Sequence, residues 1–352
     1  MLPRVESSPM PRTPRVEYEN AVSHVMARGN RREAIVLDDG DRELFRETFA
    51  EACGRTGWEV FAWVLMDNHY HAVFRTPEPN LVAGMQWFQN AYTRRLNARH
   101  RFWGHLFGGR YKAIPVEDEA TSPRGSVVWR DYARTVIDYV HLNPGRAGLV
   151  DGGKKSLLDY PWSSVAAGYA LPPSKRPGWL AAEFVLDLHG ERDNAAGRRR
   201  FVERLDGFVR EERSDPSAFD LPLSKSFERG WYWGSQAFRE RLSARLEAMA
   251  PRQSRNYRSR SAGPSKDHGE KRARGILAEA MAHYGMTGDE LRQDRRGDWR
   301  RSSVAWALAK ETSVPHAWIA EKLNLKSAAN ASQQICRFHF EPARGLPREV
   351  KA

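Results

Sequence analysis

Hydrophobic and polar positions alternate with two different periods along the first 150 residues. Four short apolar segments are typical of strands and lie at residues 23–28, 59–66, 69–76 and 111–116. Three segments with apolar residues spaced three and four apart predict helices, at residues 41–53, 80–98 and 129–142. The turn Asp67-Asn68 joins the second and third strands as a hairpin. This order predicts an α+β fold, a small antiparallel sheet with helices packed on it.

Beyond residue 170 the pattern becomes helical. Apolar spacing predicts helices near residues 271–283, 298–310, 315–323 and 327–340. The last two are joined by Asn324–Lys326, with Ser327 as a helix cap, which is the layout of a helix-turn-helix. The predicted organisation is a disordered lead-in (1–20), an α+β domain (21–170), a helical connector (171–250), a basic flexible linker (251–270), a helix-turn-helix domain (271–341) and a tail (342–352).

Charge and composition narrow the function classes. The chain of 352 residues has a formal net charge of +12, which favours a polyanionic partner such as nucleic acid. Residues 251–352 hold 20 Lys and Arg against 11 Asp and Glu, a net of +9. The longest apolar run, Trp58–Met66, is too short to cross a membrane, and the proline-rich start does not resemble a signal peptide. Two cysteines without metal spacing fit a reducing cytoplasm.

Two motifs about seventy residues apart carry the candidate chemistry. His69 and His71 share one side of a predicted strand, because side chains alternate along strands. Tyr139 and Asn143 share one face of a predicted helix, because they are four residues apart. Two imidazoles and an amide oxygen suit a divalent metal, and a phenol beside it suits attack on phosphate. The alternatives are two exposed polar residues on a hairpin, a core tyrosine and a helix C-cap.

A window rich in aromatic and basic residues indicates single-stranded nucleic acid. No acidic residue lies between Glu78 and Glu117. Arginine and lysine neutralise phosphates while aromatic rings stack on bases. The candidate contacts in the window are Tyr92, Arg94, Arg95, Arg99, Arg110 and Lys112. The alternative is a solvated basic helix with an ordinary apolar face.

The predicted helix-turn-helix offers side chains for contacts with duplex DNA. The candidates are Lys326, Ser327, Asn330, Ser332 and Gln333. The alternative is a helical bundle with exposed polar residues. No phosphate-binding loop of the Walker type and no GxSxG motif is present, so neither a nucleotide-driven motor nor an α/β-hydrolase is indicated.

Several motifs in order resemble one family. His24–Arg31, Leu37–Arg42, Trp63–His71, Gly109–Ala113, Tyr139–Val150 and Tyr160–Ser164 are similar to REP-associated tyrosine transposases, of the HUH single-tyrosine superfamily. The resemblance implies a ferredoxin-like fold, Mg²⁺ or Mn²⁺ held by His69, His71 and Asn143, and Tyr139 as nucleophile. Such enzymes cut single-stranded DNA beside hairpins and leave a 5′-phosphotyrosine. Residues 271–340 resemble the duplex-binding domain of bacterial replication initiators.

These features together predict a metal-dependent single-strand endonuclease and strand transferase of the bacterial cytoplasm, acting at the nucleoid. Arg146, just after the tyrosine helix, is expected to reach a phosphate. Two positions depart from the family pattern, Tyr70 between the histidines and Gly145 after Asn143-Pro144. A monomer and a homodimer are both open. The alternatives are a non-enzymatic DNA-binding regulator and a hydrolytic metal nuclease with no covalent intermediate.

Overall fold

The computed structural model describes residues 15–122, 126–215, 231–253, 264–292, 298–312 and 314–338. The predicted tail (342–352), most of the lead-in and the end of the predicted helix-turn-helix domain lie outside the described residues. None of the helices in the described ranges combines the length and the apolar character that a membrane crossing requires.

The N-terminal domain is built on a four-stranded antiparallel sheet. Its elements in chain order are β1 (Ala21–Arg28), α1 (Asp39–Thr56), β2 (Glu59–Leu65), β3 (His69–Thr76), α2 (Leu81–His100) and β4 (Lys112–Val116). The strands lie in the order β2-β3-β1-β4, and every neighbouring pair is antiparallel. The predicted α+β class is confirmed, and the βαββαβ order with this strand arrangement is the ferredoxin-like topology.

The two faces of the sheet carry different partners. On one face, α1 and α2 pack against Tyr70 through Phe45 and Phe88. On the other face lies α3 (Val128–His141), whose Tyr139 ring contacts His71. The prediction that Tyr70 faces away from the histidines is confirmed. Its ring is 2% exposed within the aromatic core, so the residue can be large without displacing its neighbours.

The tyrosine helix α3 ends at His141, one residue before its predicted end. Leu142 keeps right-handed helical dihedrals (φ −81°, ψ −5°), and a short helix, α4 (Asn143–Arg146), follows directly. Pro144 is tolerated there because the first turn of a helix needs no backbone N–H from it. A Cβ at Gly145 would lie 2.8 Å from Cγ1 of Val209, so close packing accounts for glycine at this position.

Part of the segment predicted as a connector packs against the N-terminal domain. Helices α5 (Ala182–Leu188) and α6 (Ala195–Ser214) contribute Val185, Phe201 and Leu205 to the core of the N-terminal domain. Part of the region assigned to a connector therefore extends that domain. The preceding segment folds back on the sheet, with the Tyr160 hydroxyl donating to the Leu65 carbonyl at 2.6 Å.

The lead-in is ordered at its end, contrary to prediction. Val16 and Tyr18 are buried against Phe238 of α7 (Gln236–Gln253). The predicted flexible linker begins within α7 and ends within α8 (Pro264–Tyr284), because both helices continue into it. Residues 254–263 lie outside the described part of the chain.

The C-terminal region is helical and has its own hydrophobic core. After α8 it contains α9 (Gly288–Arg292), α10 (Trp299–Glu311), α11 (His316–Lys322) and α12 (Ala328–Arg337). The core includes Ile276, Leu308, Trp318 and Ala331. The last three predicted helices are confirmed to within three residues, whereas α8 begins seven residues before its predicted start. The Ser327 hydroxyl accepts from the Asn330 backbone N–H as a cap.

Candidate active site

Three histidines meet on one face of the sheet. His71 on β3 is paired with Met26 on β1, so His24, two residues earlier on β1, lies diagonally beside it. His24 Nε2 is 2.9 Å from His71 Nδ1, and both side chains are buried. His69 lies beside His71, with ring centroids 5.2 Å apart. The sequence pattern does not single out His24 as a partner of His71, because their pairing depends on strand register.

The hydrogen bonds of the histidines favour one ring nitrogen for a cation. His69 Nδ1 is 2.7 Å from Asn68 Oδ1, and His71 Nδ1 is engaged with His24. In each ring this leaves Nε2 as the atom that can hold a metal. Imidazoles that bind metals characteristically use their second nitrogen in such a bond, which fixes ring orientation and tautomer. The donor set therefore fits a divalent cation.

The surroundings keep these imidazoles neutral. Burial, with a smaller contribution from the nearby Arg28 and an opposing one from Asp67, lowers the pKa of His69 to about 4. Burial also places the pKa of His71 well below its usual range, with additional effects from His24, His69, Arg28 and Arg146. A neutral imidazole is the form that binds metal, so these rings need lose no proton at neutral pH.

Tyr139 is held against the histidines. Its ring centroid lies 5.9 Å from that of His71 and 5.8 Å from that of His24. The guanidinium of Arg146 lies over the Tyr139 ring, with Cζ 4.5 Å from the centroid. Arg146 donates to the Tyr139 carbonyl at 3.1 Å and to Glu212 Oε1 of α6 at 2.7 Å. A cation in this position favours negative charge developing on the phenol.

The described contacts of Asn143 include two hydrogen bonds to the end of the preceding helix, α3. Its Nδ2 donates to the Tyr139 carbonyl at 2.9 Å and to the Val140 carbonyl at 3.1 Å. These bonds match the helix-end role that the sequence left open as an alternative. With both amide hydrogens engaged, Oδ1 is the atom through which Asn143 would bind a cation.

Asp138, next to Tyr139 in sequence, ties α3 to neighbouring parts of the domain. Arg204 of α6 donates to both carboxylate oxygens, at 2.9 and 3.0 Å, and His189 Nε2 lies 3.2 Å away. Burial alone would raise the pKa of Asp138, but its contacts with His189 and Arg204 lower it to about 2. The ion pair anchors α3 to α6, and α6 also supplies Glu212.

The structure contradicts part of the predicted DNA surface on α2. Tyr92 is fully buried and its hydroxyl donates to the Ile35 carbonyl at 2.6 Å, so its ring is not available for stacking. Arg95 is paired with Glu51 at 2.7 Å. Arg99 is paired with Asp38 at 2.6 Å and also contacts Asp41. These side chains belong to the packing of α2 against α1, on the face of the sheet opposite Tyr139.

The other basic residues predicted to contact DNA are not part of the packing between α1 and α2. Arg94 is exposed on α2, with Nε donating to the Asn90 carbonyl at 3.3 Å. Arg110 is exposed just before β4. Lys112 lies opposite Met26, which in turn lies opposite His71, so Lys112 belongs to the same cross-strand row as the candidate ligand. With Arg146 on Tyr139, the predicted cations nearest the site are therefore Lys112 and Arg146.

A second cluster resembles a metal site but is an ion-pair network. Within the described ranges, one group of three His, Cys, Asp or Glu side chains has ligand atoms within 4.8 Å of one another, formed by Asp38, Asp41 and His100. Arg99 contacts both carboxylates, and the Leu37 N–H donates to Asp41 Oδ2 at 2.9 Å. His100 Nε2 lies 2.8 Å from Asp41 Oδ1. The carboxylates are thus already neutralised at the start of α1.

The helix-turn-helix candidates are mostly accessible. Lys326 and Gln333 are exposed, and Ser332 is partly exposed. Two of the predicted side chains are engaged within the helix, since Ser327 is the cap and Asn330 Oδ1 accepts from Gln334 at 2.8 Å. Contacts from these two to a base would require these bonds to change.

Comparison with known proteins supports the predicted family for the N-terminal part. Residues 17–124 match the family model described as transposase, IS200 like. The matched residues include β1 to β4, and with them His24, His69 and His71, but end before Tyr139. A solved REP-associated tyrosine transposase bound to a REP hairpin is 18% identical, with a TM-score of 0.35, covering 44% of this chain and 82% of that chain. No curated protein matches the chain.

Proposed function

We propose that this chain, whose residues 17–124 match the IS200-like transposase family, cleaves and rejoins single-stranded DNA through a covalent bond to Tyr139. The observation that carries the proposal is the packing of Tyr139 against His24 and His71 with Arg146 over its ring. Core packing alone does not require three histidines and an arginine beside a tyrosine, whereas attack on a phosphate does need a metal and a cation. The family match supports the coarser role, a transposase that acts on DNA.

Divalent metal, Mg²⁺ or Mn²⁺, would be held by Nε2 of His69 and His71, with Asn143 Oδ1 as third ligand. When bound, it would polarise the scissile phosphate and reduce the basicity that the nucleophile needs. His24 Nε2, as the acceptor of a hydrogen bond from the His71 Nδ1–H, would keep His71 in the tautomer whose Nε2 is unprotonated.

Tyr139 would attack the phosphorus in line. A bond forms between its phenolic oxygen and phosphorus, and the bond from phosphorus to the 3′ oxygen breaks. The phenol loses one proton and the departing 3′ oxygen gains one, so a free 3′-hydroxyl and a 5′-phosphotyrosine result. The reverse reaction with another 3′-hydroxyl rejoins strands without ATP, because the phosphodiester energy is retained. Arg146 and Lys112 would stabilise the added charge.

The deciding experiment uses hairpins selected for binding from a randomised single-stranded library. Selection removes the uncertainty about the target sequence. The selected hairpins are incubated with the wild-type protein and Mg²⁺ or Mn²⁺, and covalent adducts are read on a denaturing gel. Tyr139→Phe is compared with Tyr132→Phe, a control seven residues earlier on the same helix. An adduct in the wild type and in Tyr132→Phe, absent from Tyr139→Phe, supports the proposal.

The other outcomes identify the alternatives. Cleavage that persists in Tyr139→Phe without an adduct indicates a hydrolytic nuclease. Tight binding of selected hairpins, indifferent to metal and without cleavage, indicates a regulator. Both results would contradict the covalent mechanism.

For the C-terminal helices, we propose contact with the duplex part of the same hairpin. The support is an independent core with Lys326 exposed just before α12 and Gln333 exposed in the middle of this helix. Tethering to the N-terminal domain would raise the avidity of both contacts. Lys326→Ala is expected to weaken binding to a blunt duplex and to reduce its salt dependence by about one ion. An unchanged salt slope would remove Lys326 from the interface.

A further inference from the structure

Two aromatic side chains are exposed on the loop between α2 and β4. Trp103 is 96% exposed and Phe102 is 50% exposed. Isolated exposed apolar residues are common, so exposure alone indicates no site. A tryptophan that is almost fully exposed nevertheless contributes little to the stability of the fold, because its large ring stabilises proteins chiefly when it is buried. Its surroundings decide whether it has another use.

The base of the loop is held by hydrogen bonds. The Phe102 N–H donates to the Asn97 carbonyl at 2.9 Å, and Asn97 Nδ2 donates to the Gly104 carbonyl at 3.1 Å. The ring of His100 stacks on Phe102, with centroids 5.5 Å apart. The loop therefore presents Trp103 from a structured base, which lowers the entropy lost when a partner binds.

The same loop is joined to the candidate active site. Its Phe107 forms a strand-like bridge with Gly29, and the Gly108 N–H donates to the Arg28 carbonyl at 3.0 Å. Arg28 lies directly opposite His69 in the sheet register. The loop thus lies beside the end of the sheet that carries the candidate metal ligands.

The turn next to the loop is held in an unusual conformation. Arg31 and Arg32 have positive φ, 52° and 66°, which costs a non-glycine residue roughly 1 kcal/mol each. The Arg32 carbonyl accepts from Asn68 Nδ2 at 3.1 Å, and Asn68 Oδ1 contacts His69 Nδ1 at 2.7 Å. Asn68 therefore connects the arginine turn to a candidate metal ligand. Strained backbone retained beside such a site is characteristic of function.

The positive charge of the turn and the loop indicates which kind of partner this surface would bind. The exposed basic side chains of the turn and loop are Arg28, Arg31, Arg32, Arg101 and Arg110. Glu33 is the acidic residue in these two segments, so their formal charge is five minus one, or +4. Arginines surrounding exposed aromatic rings fit a chain of phosphates with unstacked bases, since phosphates pair with guanidinium groups while bases stack on rings. An interface with another copy would repel itself at this charge.

We propose that the surface formed by residues 28–33 and 101–110 binds the unpaired nucleotides beside the hairpin, with Trp103 stacked on one base. The proposal rests on the proposed function, and it adds the place where single-stranded DNA enters the site. The duplex stem has no unstacked base to offer Trp103. The inferred contact therefore discriminates a hairpin with a single-stranded flank from the same hairpin without one.

The test measures binding without metal, so that no cleavage occurs. A selected hairpin with a single-stranded flank is compared with its blunt version by fluorescence anisotropy. Trp103→Ala is expected to weaken binding of the flanked hairpin about tenfold, as loss of one stacked base does, with the blunt hairpin unaffected. Trp103→Phe should retain most of the affinity. The control is Trp231→Ala, at a tryptophan 39% exposed, close in sequence to Trp233, which pairs with Val116 at the far end of β4.

Three results would overturn the inference. Equal losses on both hairpins would make Trp103 a duplex contact, and unchanged binding would exclude it from the interface. A change in molecular mass on Trp103→Ala, measured by sedimentation, would show that the ring contacts a second copy. Because this binding assay needs neither metal nor Tyr139, its outcome is separate from that of the adduct experiment. An adduct with unchanged Trp103→Ala binding refutes only the inference, and selective Trp103 binding without an adduct refutes only the covalent mechanism.

Discussion

The two faces of the sheet are made by alternate residues of the same strands and serve different purposes. On β3, Tyr70 enters an aromatic core with Phe45 and Phe107, whereas His71 faces His24 and Tyr139. The core face gains its stability from burial. The opposite face keeps polar atoms engaged with one another beneath α3. A strand period of two residues allows one segment to supply both, so a large side chain between the histidines leaves the histidines in place.

The same comparison separates the predicted DNA contacts on α2 from the candidate site. Helix α2 lies on the core face, and its Arg95 and Arg99 neutralise acidic residues of α1. The arginines exposed at the site come instead from the end of β1, the following turn and the loop before β4. The arginines of the N-terminal domain therefore have two roles. Some form ion pairs between helices, and others face solvent beside the candidate site.

The largest effect is expected on the core face. Tyr70→Ala removes a ring that is 2% exposed among Phe45, Phe88 and Phe107. The expected loss of unfolding free energy is about 4 kcal/mol, the usual cost of deleting a buried aromatic side chain. Denaturant unfolding measures it, with Tyr70→Phe as the matched variant that keeps the ring. A loss under about 1 kcal/mol would show that the ring is not part of the core.

On the site face, His69→Ala is expected to affect metal rather than folding. Loss of one ligand should weaken Mn²⁺ binding at least about a hundredfold, equivalent to ~2.7 kcal/mol. Isothermal titration with Mn²⁺ measures it, and the free energy of unfolding without metal should change little because His69 is only partly buried. His100→Ala, in the ion-pair network of Asp38 and Asp41, is the control. If His100→Ala lost Mn²⁺ binding and His69→Ala kept it, the metal would bind at the cluster of Asp38, Asp41 and His100 and not at His69.

His24 should act through His71. His24→Leu removes the 2.9 Å hydrogen bond, so we expect about a tenfold loss of Mn²⁺ affinity, the lower end for partners of metal ligands. His24→Gln can place its side-chain oxygen near the position of Nε2 as an acceptor for the His71 Nδ1–H, and it should recover part of that loss. Stability without metal is measured in parallel. Equal Mn²⁺ affinity in both variants, despite altered stability, would reduce His24 to a core residue.

The smallest effect concerns α2. Arg95→Ala breaks a partly exposed pair with Glu51, so the unfolding free energy should fall by only about 0.5 kcal/mol. The affinity for a single-stranded hairpin should stay within twofold of wild type, by anisotropy, whereas Arg110→Ala should reduce it. A large loss of DNA affinity in Arg95→Ala would place the substrate on the core face. It would contradict the assignment of DNA binding to the opposite face.

Much of the architecture was predictable because it is local. Strand alternation and helical spacing placed all four strands and the main helices to within a few residues, and alternation alone oriented Tyr70 away from His69 and His71. The predictions failed where distant segments meet. No local pattern indicates that Val16 packs on Phe238, or that α5 and α6 complete the core of the N-terminal domain.

The sequence by itself determined the strands, the helices and the chemical types available: two histidines on one side of a strand, and a tyrosine four residues before an asparagine. These follow from backbone periodicity, which is fixed within a few residues. Only the tertiary structure decided that His24 supports His71, that Glu212 holds Arg146 over Tyr139, and that Arg95 and Arg99 face α1. Such contacts join residues 44 to 66 positions apart, so they depend on strand register and helix packing.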